Sequence, residues 1–342
     1  MTEDEIQAKK IEVRKALSDF KNTGRITDCF CHDKKNCNGN IKQSHSLQRN
    51  GRLSIIEGEV NGNQVIYTFT ETEFDEKTFH KSLKPIGKGV ASTFFGFCDY
   101  HDTTLFSPIE NFPFDNSDKH CFLHSYRAFA HSYHRKKEEL KAYKADSNYS
   151  KVIPKVTLLS MIEGAEIGVA EGEIEKKKLD ELLDKQEYDG LEYFTYILPK
   201  KFPIACSSQI SPYYSYKGTP MNNHVDSKIP YSHIMLTILP DHNQTIIIFA
   251  CFPDDEKGKL FLDELNDLHP LPLEKAISSI LINCAENTFF APTLWNKLGK
   301  NGQRQLCDEL ELAASHFHFP SSFSHSKINF FDDKYSAKRL GI

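Results

Sequence analysis

Four cysteines and a histidine in the first third of the chain have the types and spacing of metal ligands. Cys29, Cys31 and Cys37 lie within nine positions, and Cys98 is followed three positions later by His101. A tetrahedral zinc ion takes four Cys or His ligands, usually as two close pairs that the fold brings together. Cys98 and His101 have the standard pair spacing, whereas Cys37 with Cys29 or Cys31 encloses a longer loop. The sequence predicts a zinc site and leaves open which of Cys29 and Cys31 is a ligand.

The alternative is that these are chance thiols and a surface histidine. Buried structural cysteines are seldom set among Asp, Lys, Asn and Gly, which surround this group. The other five of the nine cysteines stand alone in ordinary globular sequence, as expected of small buried hydrophobic residues. They are Cys121, Cys206, Cys251, Cys284 and Cys307. The surrounding composition therefore favours a metal site for the early group.

The order of these residues resembles that of the HNH nucleases, the ββα-metal or His-Me finger class. In that family a cysteine pair precedes a strand-borne catalytic histidine, a hairpin follows, and a second pair opens a helix. The resemblance covers about residues 29–110 and includes Ser44-His45-Ser46 and Cys98-Asp-Tyr-His101-Asp102. It implies an HNH-like ββα zinc module, a catalytic Mg²⁺ or Mn²⁺ ion, and cleavage of DNA or RNA. Bacterial nucleases of this kind often serve in defence or toxicity, and the segment 91–110 also resembles bacterial zinc proteins.

The resemblance implies catalytic roles for His45 and Asp102. His45 would be the general base, because an imidazole can activate water while a divalent ion stabilises the developing charge. Asp102 stands where the family has a metal-binding histidine, and its carboxylate suits magnesium or manganese. The sequence departs from the family at Ser44, where an acidic residue is usual, and at Thr93, near the position of the middle Asn.

A treble-clef zinc module of this kind can also be purely structural. The alternative function is therefore a non-catalytic, zinc-stabilised module that binds protein or nucleic acid. A third alternative is hydrolysis of a substrate other than nucleic acid, which the net charge of −5 allows. With 42 basic and 47 acidic side chains, the chain is not expected to coat nucleic acid by bulk charge.

A long helix is predicted from about Asp118 to Lys144, with a stripe of basic residues on one face. At about 100° per residue, the stripe lies within about 40° of His120. Its members are His120, His124, Arg127, His131 and His134. The aromatic residues Phe122, Tyr126, Phe129 and Tyr133 lie on the opposite side and are the expected core face. The stripe is thus expected to point away from that core, toward solvent or a second domain.

His124, Arg127 and His131 are candidate substrate-binding residues, because imidazole and guanidinium groups donate hydrogen bonds to phosphate oxygens. The alternative is a polar face that happens to use histidine.

Other elements follow from periodicity and turn chemistry. Residues 3–20 have the spacing of a leading helix, which Asn22-Thr23-Gly24 ends. Arg52 to Val60 and Gln64 to Thr70, around Asn61-Gly62-Asn63, predict a β-hairpin. Further strands are predicted over 191–198, 231–239 and 245–252. Further helices are predicted over about 170–185, 257–268, 273–285 and 301–314. The second half contains no recognisable catalytic motif.

Length and composition favour an α+β protein of several parts. The 342 residues suggest about two domains, with one or three as the near alternatives. Together with the resemblance, this implies an HNH-like zinc module with its leading helix over 1–115, a helical connection over 116–190, and a mixed α/β domain over 191–342. The run over 245–252 is nearly continuous in apolar residues, so it predicts a strand buried on both faces. No apolar run approaches the roughly 20 residues of a membrane helix, and the acidic start does not resemble a secretory signal. A cytoplasmic location without membrane partners is expected, and the sequence does not indicate an oligomeric state.

Overall fold

Two β-sheets and several long helices make up the mixed α+β fold, which we describe from a computed structural model. The structure describes residues 2–74, 79–145, 147–222, 229–313 and 320–332. Its helices are α1 (Glu3–Gly24), α2 (Ser54–Ile56), α3 (Asp99–Asn111), α4 (Asp118–Lys144), α5 (Asn148–Val152), α6 (Lys155–Lys185), α7 (Glu256–Asn266), α8 (Pro270–Asn283) and α9 (Pro292–Ala313), with a π-helix at Arg49–Leu53. Its strands are β1 (Ile41–His45), β2 (Gly58–Val60), β3 (Asn63–Phe74), β4 (Phe79–Ile86), β5 (Thr93–Cys98), β6 (Glu192–Leu198), β7 (Ile204–Ile210), β8 (Ile234–Pro240), β9 (Thr245–Cys251) and β10 (Thr288–Phe290).

Capping side chains account for where the first long helices begin. Thr2 and Glu5 form a capping box at the start of α1, in which each side chain bonds the other residue's backbone N–H. At the start of α4, the Ser117 hydroxyl accepts a hydrogen bond from the His120 N–H at 3.3 Å. The predicted helices at 3–20 and 118–144 are therefore confirmed. The charged helix predicted from about 170 begins earlier, at Lys155, directly after Pro154.

A small two-stranded sheet and the helix after it form a ββα unit. Strands β1 and β5 pair antiparallel, with Ile41 opposite Cys98 and His45 opposite Thr93. Helix α3 follows β5 without a break, since Cys98 ends the strand and caps the helix. The two strands are far apart in the chain, with residues 46–92 inserted between them.

The larger sheet has the strand order β2-β3-β10-β7-β8-β9-β6, with β4 paired to the outer side of β3. The predicted hairpin is present as β2 and β3, and its turn places Asn61 and Gly62 at φ 50° and 77°. Its first strand begins at Gly58 rather than Arg52, because the preceding residues are helical.

The hairpin belongs to the larger sheet and not to the ββα unit. Strand β3 pairs with β10 through Thr68 and Tyr67, so residues before 115 share a sheet with residues after 191. This pairing crosses the expected division into 1–115, 116–190 and 191–342. Contacts between residues distant in the sequence stabilise this pairing, because Ile66 of β3 is fully buried in a cluster with Ala205 and Phe289.

Helices cover both faces of the larger sheet at its centre. Every residue of β8 and β9 is buried, which confirms the predicted two-faced strand. Alternate side chains, such as Leu236 and Phe249, pack with α7, α8 and α9. The side chains between them, such as Met235 and Ala250, pack with α4 and the ββα unit. Helix α4 thus connects the sheet to the ββα unit. Within the described residues, none of the helices has the length and apolar character needed to span a bilayer.

Candidate functional site

The ligand atoms of Cys29, Cys37, Cys98 and His101 all lie within 4.8 Å of one another. Nδ1 of His101 is 3.3 Å from Sγ of Cys29 and 3.2 Å from Sγ of Cys98. A tetrahedral zinc ion would place such nitrogen and sulfur atoms about 3.6 Å apart. The four side chains therefore form a Cys₃His group that could hold a metal ion such as zinc.

Local structure explains how two distant segments supply the four ligands. Cys98 ends β5 and His101 lies in the first turn of α3, so the strand-to-helix junction positions both. The first segment is held beside β5 because the Phe30 N–H donates to the Gly96 carbonyl at 2.5 Å. The Cys98 N–H also points at Sγ of Cys29, at 3.4 Å. These contacts hold Cys29 beside Cys98 and His101.

Cys31 is not part of the group of close ligand atoms, so the geometry selects Cys29 as the partner of Cys37. The Cys31 side chain is buried against Cys29 and Cys98 in an apolar cluster. The adjacent His32 points elsewhere, with Nε2 lying 2.8 Å from a carboxylate oxygen of Asp184 on α6.

The pKa values of two of the thiols shift in opposite directions. Desolvation raises the pKa of the Cys29 thiol to about 12. Desolvation also acts to raise the pKa of Cys98, but hydrogen bonds from the backbone at His101 and Asn38 and from the side chains of Cys37 and Cys29 together outweigh it, and the pKa of this thiol is lowered. Because zinc binds the thiolate form, metal binding at this cluster must release protons.

His45 lies at the end of β1, opposite Thr93. Its Nδ1 is 2.9 Å from the carbonyl oxygen of Ala91. A carbonyl only accepts hydrogen bonds, so Nδ1 carries the proton and the neutral ring has its lone pair on Nε2. No hydrogen bond joins Nε2 to another described residue. Burial, together with the positive charges of Arg127 and Arg49, lowers the pKa of His45 although the Ala91 carbonyl opposes this.

The Thr93 hydroxyl holds the loop that fixes His45. It donates to the carbonyl of Val90 at 2.8 Å, next to the carbonyl of Ala91. The following residue of this loop, Ser92, has a positive φ of 56°, a conformation unusual for a residue other than glycine. Thr93 therefore tethers the loop that orients the histidine.

A buried guanidinium joins two carboxylates of α3 beside His45. Arg127 is only 3% exposed, and its Nη1 lies 2.7 Å from Oε1 of Glu110. Its Nη2 lies 3.5 Å from Oδ1 of Asp102, which is an ion pair too long for a good hydrogen bond. The Arg127 guanidinium also stacks over the Phe106 ring, 4.3 Å from its centroid. This packing fixes Arg127 between the two carboxylates.

Three buried polar atoms in this region lack a hydrogen-bond partner among the described residues. They are Oγ of Ser44, Oδ1 of Asp102 and Nε of Arg127. Burial raises the pKa of Asp102, which the neighbouring Arg127 partly offsets. Buried polar groups are normally satisfied, and the Ser44 hydroxyl and Arg127 both act on the Asp102 carboxylate, so these atoms face one another within the group without well-formed hydrogen bonds.

The carboxylates of Asp102 and Glu110 have the hard oxygen atoms that magnesium and manganese prefer. Mg²⁺ is usually held by one or two carboxylates, with water and substrate phosphates completing its shell. Here both carboxylates are ion-paired with Arg127, and Oδ1 of Asp102 is buried.

The basic stripe of α4 does not face solvent. All five of its side chains are buried, because α4 packs between the larger sheet and the ββα unit. Of the three candidate substrate-binding residues, only Arg127 contacts the carboxylates of Asp102 and Glu110.

His124 and His131 do not face a substrate surface. Burial, with Arg52 and Arg127 nearby, lowers the pKa of His124 well below its usual value. Burial also lowers the pKa of His131 to about 3, and its ring packs edge-on against Phe94. Both histidines are buried and pack inside the fold, so the structure does not bring them to a surface, and substrate binding by them stays a prediction.

Sequence reasoning missed Glu110 and Gln48. Glu110 lies at the opposite end of α3 from Asp102, so no short motif connects it to the site. Gln48 donates from Nε2 to the Glu110 carbonyl at 2.8 Å and so ties the end of α3 to the segment after His45.

Comparison with known proteins returned no match among family models, curated proteins or solved structures.

Proposed function

We propose that this chain is a metal-dependent nuclease whose active centre is the ββα unit formed by β1, β5 and α3. The observation that supports this most directly is the orientation of His45, whose Nδ1 is fixed by the Ala91 carbonyl beside the Asp102–Arg127–Glu110 group. Such a ring presents a basic Nε2, as a general base for hydrolysis requires.

Each residue of the site has a distinct role in this proposal. His45 accepts a proton at Nε2 from the attacking water, and the Ala91 carbonyl stabilises the imidazolium that forms. Asp102 would bind the divalent ion, which supplies charge stabilisation for the phosphodiester under attack. Arg127 is a positioning residue, because it contacts Asp102 and Glu110 but is too buried to meet substrate. The zinc cluster holds the leading segment against the ββα unit.

A non-catalytic zinc-stabilised binding module is the second candidate function. The ion pairs between Arg127 and the two carboxylates favour it, because they already neutralise the groups that would otherwise attract a cation. In that case the Asp102–Arg127–Glu110 group has a structural role, and His45 is a surface residue without a catalytic role.

The test is a cleavage assay on the zinc-loaded protein with DNA and RNA, in single- and double-stranded form, in magnesium and in manganese. Replacing His45 by Ala should abolish cleavage while circular dichroism and zinc content stay unchanged. His269→Ala is the matched control, because this histidine is exposed and its side chain makes no cap hydrogen bond. Equal activity in the wild type and His45→Ala, or no cleavage of any of these substrates by the wild type, would overturn the proposal.

A further inference from the structure

Arg49 is an exposed cation next to the candidate general base. It begins the π-helix Arg49–Leu53, four residues after His45, and its charge acts on the His45 ring. Its guanidinium lies against Gly89, where an added Cβ would be 3.8 Å from Nη2. The Arg49 guanidinium has no ion pair or hydrogen bond with another described residue, although the Arg49 backbone carbonyl accepts a hydrogen bond from the Ser54 hydroxyl. By contrast, Arg52 is buried and pairs with Asp241 at 2.9 Å. Arg49 is thus able to bind an anion from solvent.

Two large apolar side chains are exposed near the same histidine. Phe112 is 64% exposed directly after α3, and Val90 is 60% exposed beside Ala91. The hydrogen bond from Gln48 to the Glu110 carbonyl brings the end of α3 next to the segment that carries His45 and Arg49. Phe112 makes no ring contact with another described residue, so its faces are open.

Negative charges near this surface are already paired. Arg127 pairs with Asp102 and Glu110, and Lys88 lies 2.7 Å from Glu57. The Arg49 guanidinium has no such carboxylate partner, so it can attract a phosphate of a polyanion.

We propose that Arg49 and Phe112 bind a single-stranded nucleic acid across His45, with a phosphate on Arg49 and an unpaired base stacked on Phe112. A base in a duplex is already stacked on both faces, whereas an unpaired base can place its π-face on an aromatic ring. A π-helix is also rare and is often found at functional sites. This inference rests on the proposed nuclease function, and specifies its substrate as a single strand.

The test measures binding in the His45→Ala background, so that the probe stays intact. A fluorescein-labelled single-stranded 12-mer and the matching duplex are titrated by anisotropy at several salt concentrations. Phe112→Ala should weaken single-strand binding about tenfold and leave duplex binding unchanged, because it removes the stacking of one unpaired base. Phe112→Trp should restore it. Arg49→Ala should weaken binding and lower the slope of log K against log salt by about 0.7, as expected for one lost phosphate contact.

The controls are Lys300→Ala, which removes an exposed positive charge elsewhere, and Val156→Ala, which removes an exposed apolar side chain on α6. Both should bind like the parent protein. The inference is overturned if the duplex binds more tightly than the single strand, or if Phe112→Ala and Arg49→Ala bind as the parent does.

A cleavage assay on the wild type distinguishes failure of this inference from failure of the proposed nuclease function. Cleavage with no effect of these two substitutions would overturn the inference alone. Single-strand binding that depends on Arg49 and Phe112, without cleavage by the wild type, would support the binding surface and overturn the nuclease.

Discussion

The Ala91 carbonyl oxygen lies 2.9 Å from Nδ1 of His45, although the two residues are 46 positions apart. The contact closes the end of the β1–β5 sheet, just beyond the pairing of His45 with Thr93. It decides the tautomer of the imidazole and therefore which ring nitrogen can act as a base. The same strand pairing that builds the ββα unit thus also prepares its histidine.

The pH dependence of cleavage should report the lowered pKa of His45. A general base acts only when neutral, so activity is lost as pH falls through the pKa of the ring. Burial and the charges of Arg127 and Arg49 lower this pKa, which places the acidic limb of kcat/KM below pH 6.5. Arg49→Ala removes one of these charges and should move the limb toward higher pH. A limb above pH 6.5 in the wild type would contradict the assignment.

Zinc binding should depend on Cys29 but not on Cys31. Elemental mass spectrometry should find about one zinc per chain in the parent protein. Cys29→Ser removes one of the four close ligand atoms, so this variant should contain less zinc than the parent. Cys31→Ser changes a thiol of similar burial outside the ligand group, so it is the matched control and should retain zinc. Equal zinc loss in both variants would show that the ligand set is wrong. Chelation should lower the melting temperature of the parent and of Cys31→Ser.

Local signals in the sequence were sufficient for the elements with caps or turns. Helix α4 is present as predicted, and Ser117 caps its start. The hairpin at Asn61-Gly62 is also present, and both turn residues adopt positive φ. The metal cluster could also be predicted, since Cys98 and His101 are close in the chain. The choice between Cys29 and Cys31 needed the fold, because either spacing is sterically allowed and only the position of the segment beside β5 separates them.

Long-range pairing is what the sequence could not supply. The strand partner of β1 is β5, and a hairpin that joins another sheet lies between them. A helical wheel predicts that the basic stripe points away from the core, but α4 packs on both sides and buries the stripe as well. For the same reason the sequence does not indicate the ion pair between Arg127 and Glu110, since the two residues come from different helices.

Removing Arg127 should destabilise the fold more than removing an exposed arginine of the same helix. Arg127→Ala leaves the carboxylates of Asp102 and Glu110 near each other without a buried counter-charge. Breaking a buried ion pair in this way costs about 3–5 kcal/mol, whereas loss of an exposed pair costs about 0–1 kcal/mol. Arg135, which is half exposed and pairs with Glu138, provides the matched control as Arg135→Ala. Urea denaturation of both variants measures the difference, and equal free energies of unfolding would show that Arg127 does not stabilise the site.

The half-buried His233, directly before β8, should give a stability change at higher pH. Nδ1 of His233 lies 2.7 Å from the Ser211 hydroxyl, and its Nε2 lies 3.3 Å from Glu171 on α6. Burial alone would lower the pKa of His233, but the hydrogen bond to Glu171 and the charges of Glu171, Glu175 and Asp255 raise it.

A histidine with a raised folded-state pKa stabilises the fold fully below its unfolded pKa of about 6.5, and the contribution is lost as pH rises through the folded value. Glu171→Gln removes the main partner, so the free energy of unfolding should fall relative to the wild type at pH 6. The two proteins should converge as the pH is raised. A difference that stays constant between pH 6 and pH 9 would show that His233 does not carry this charge.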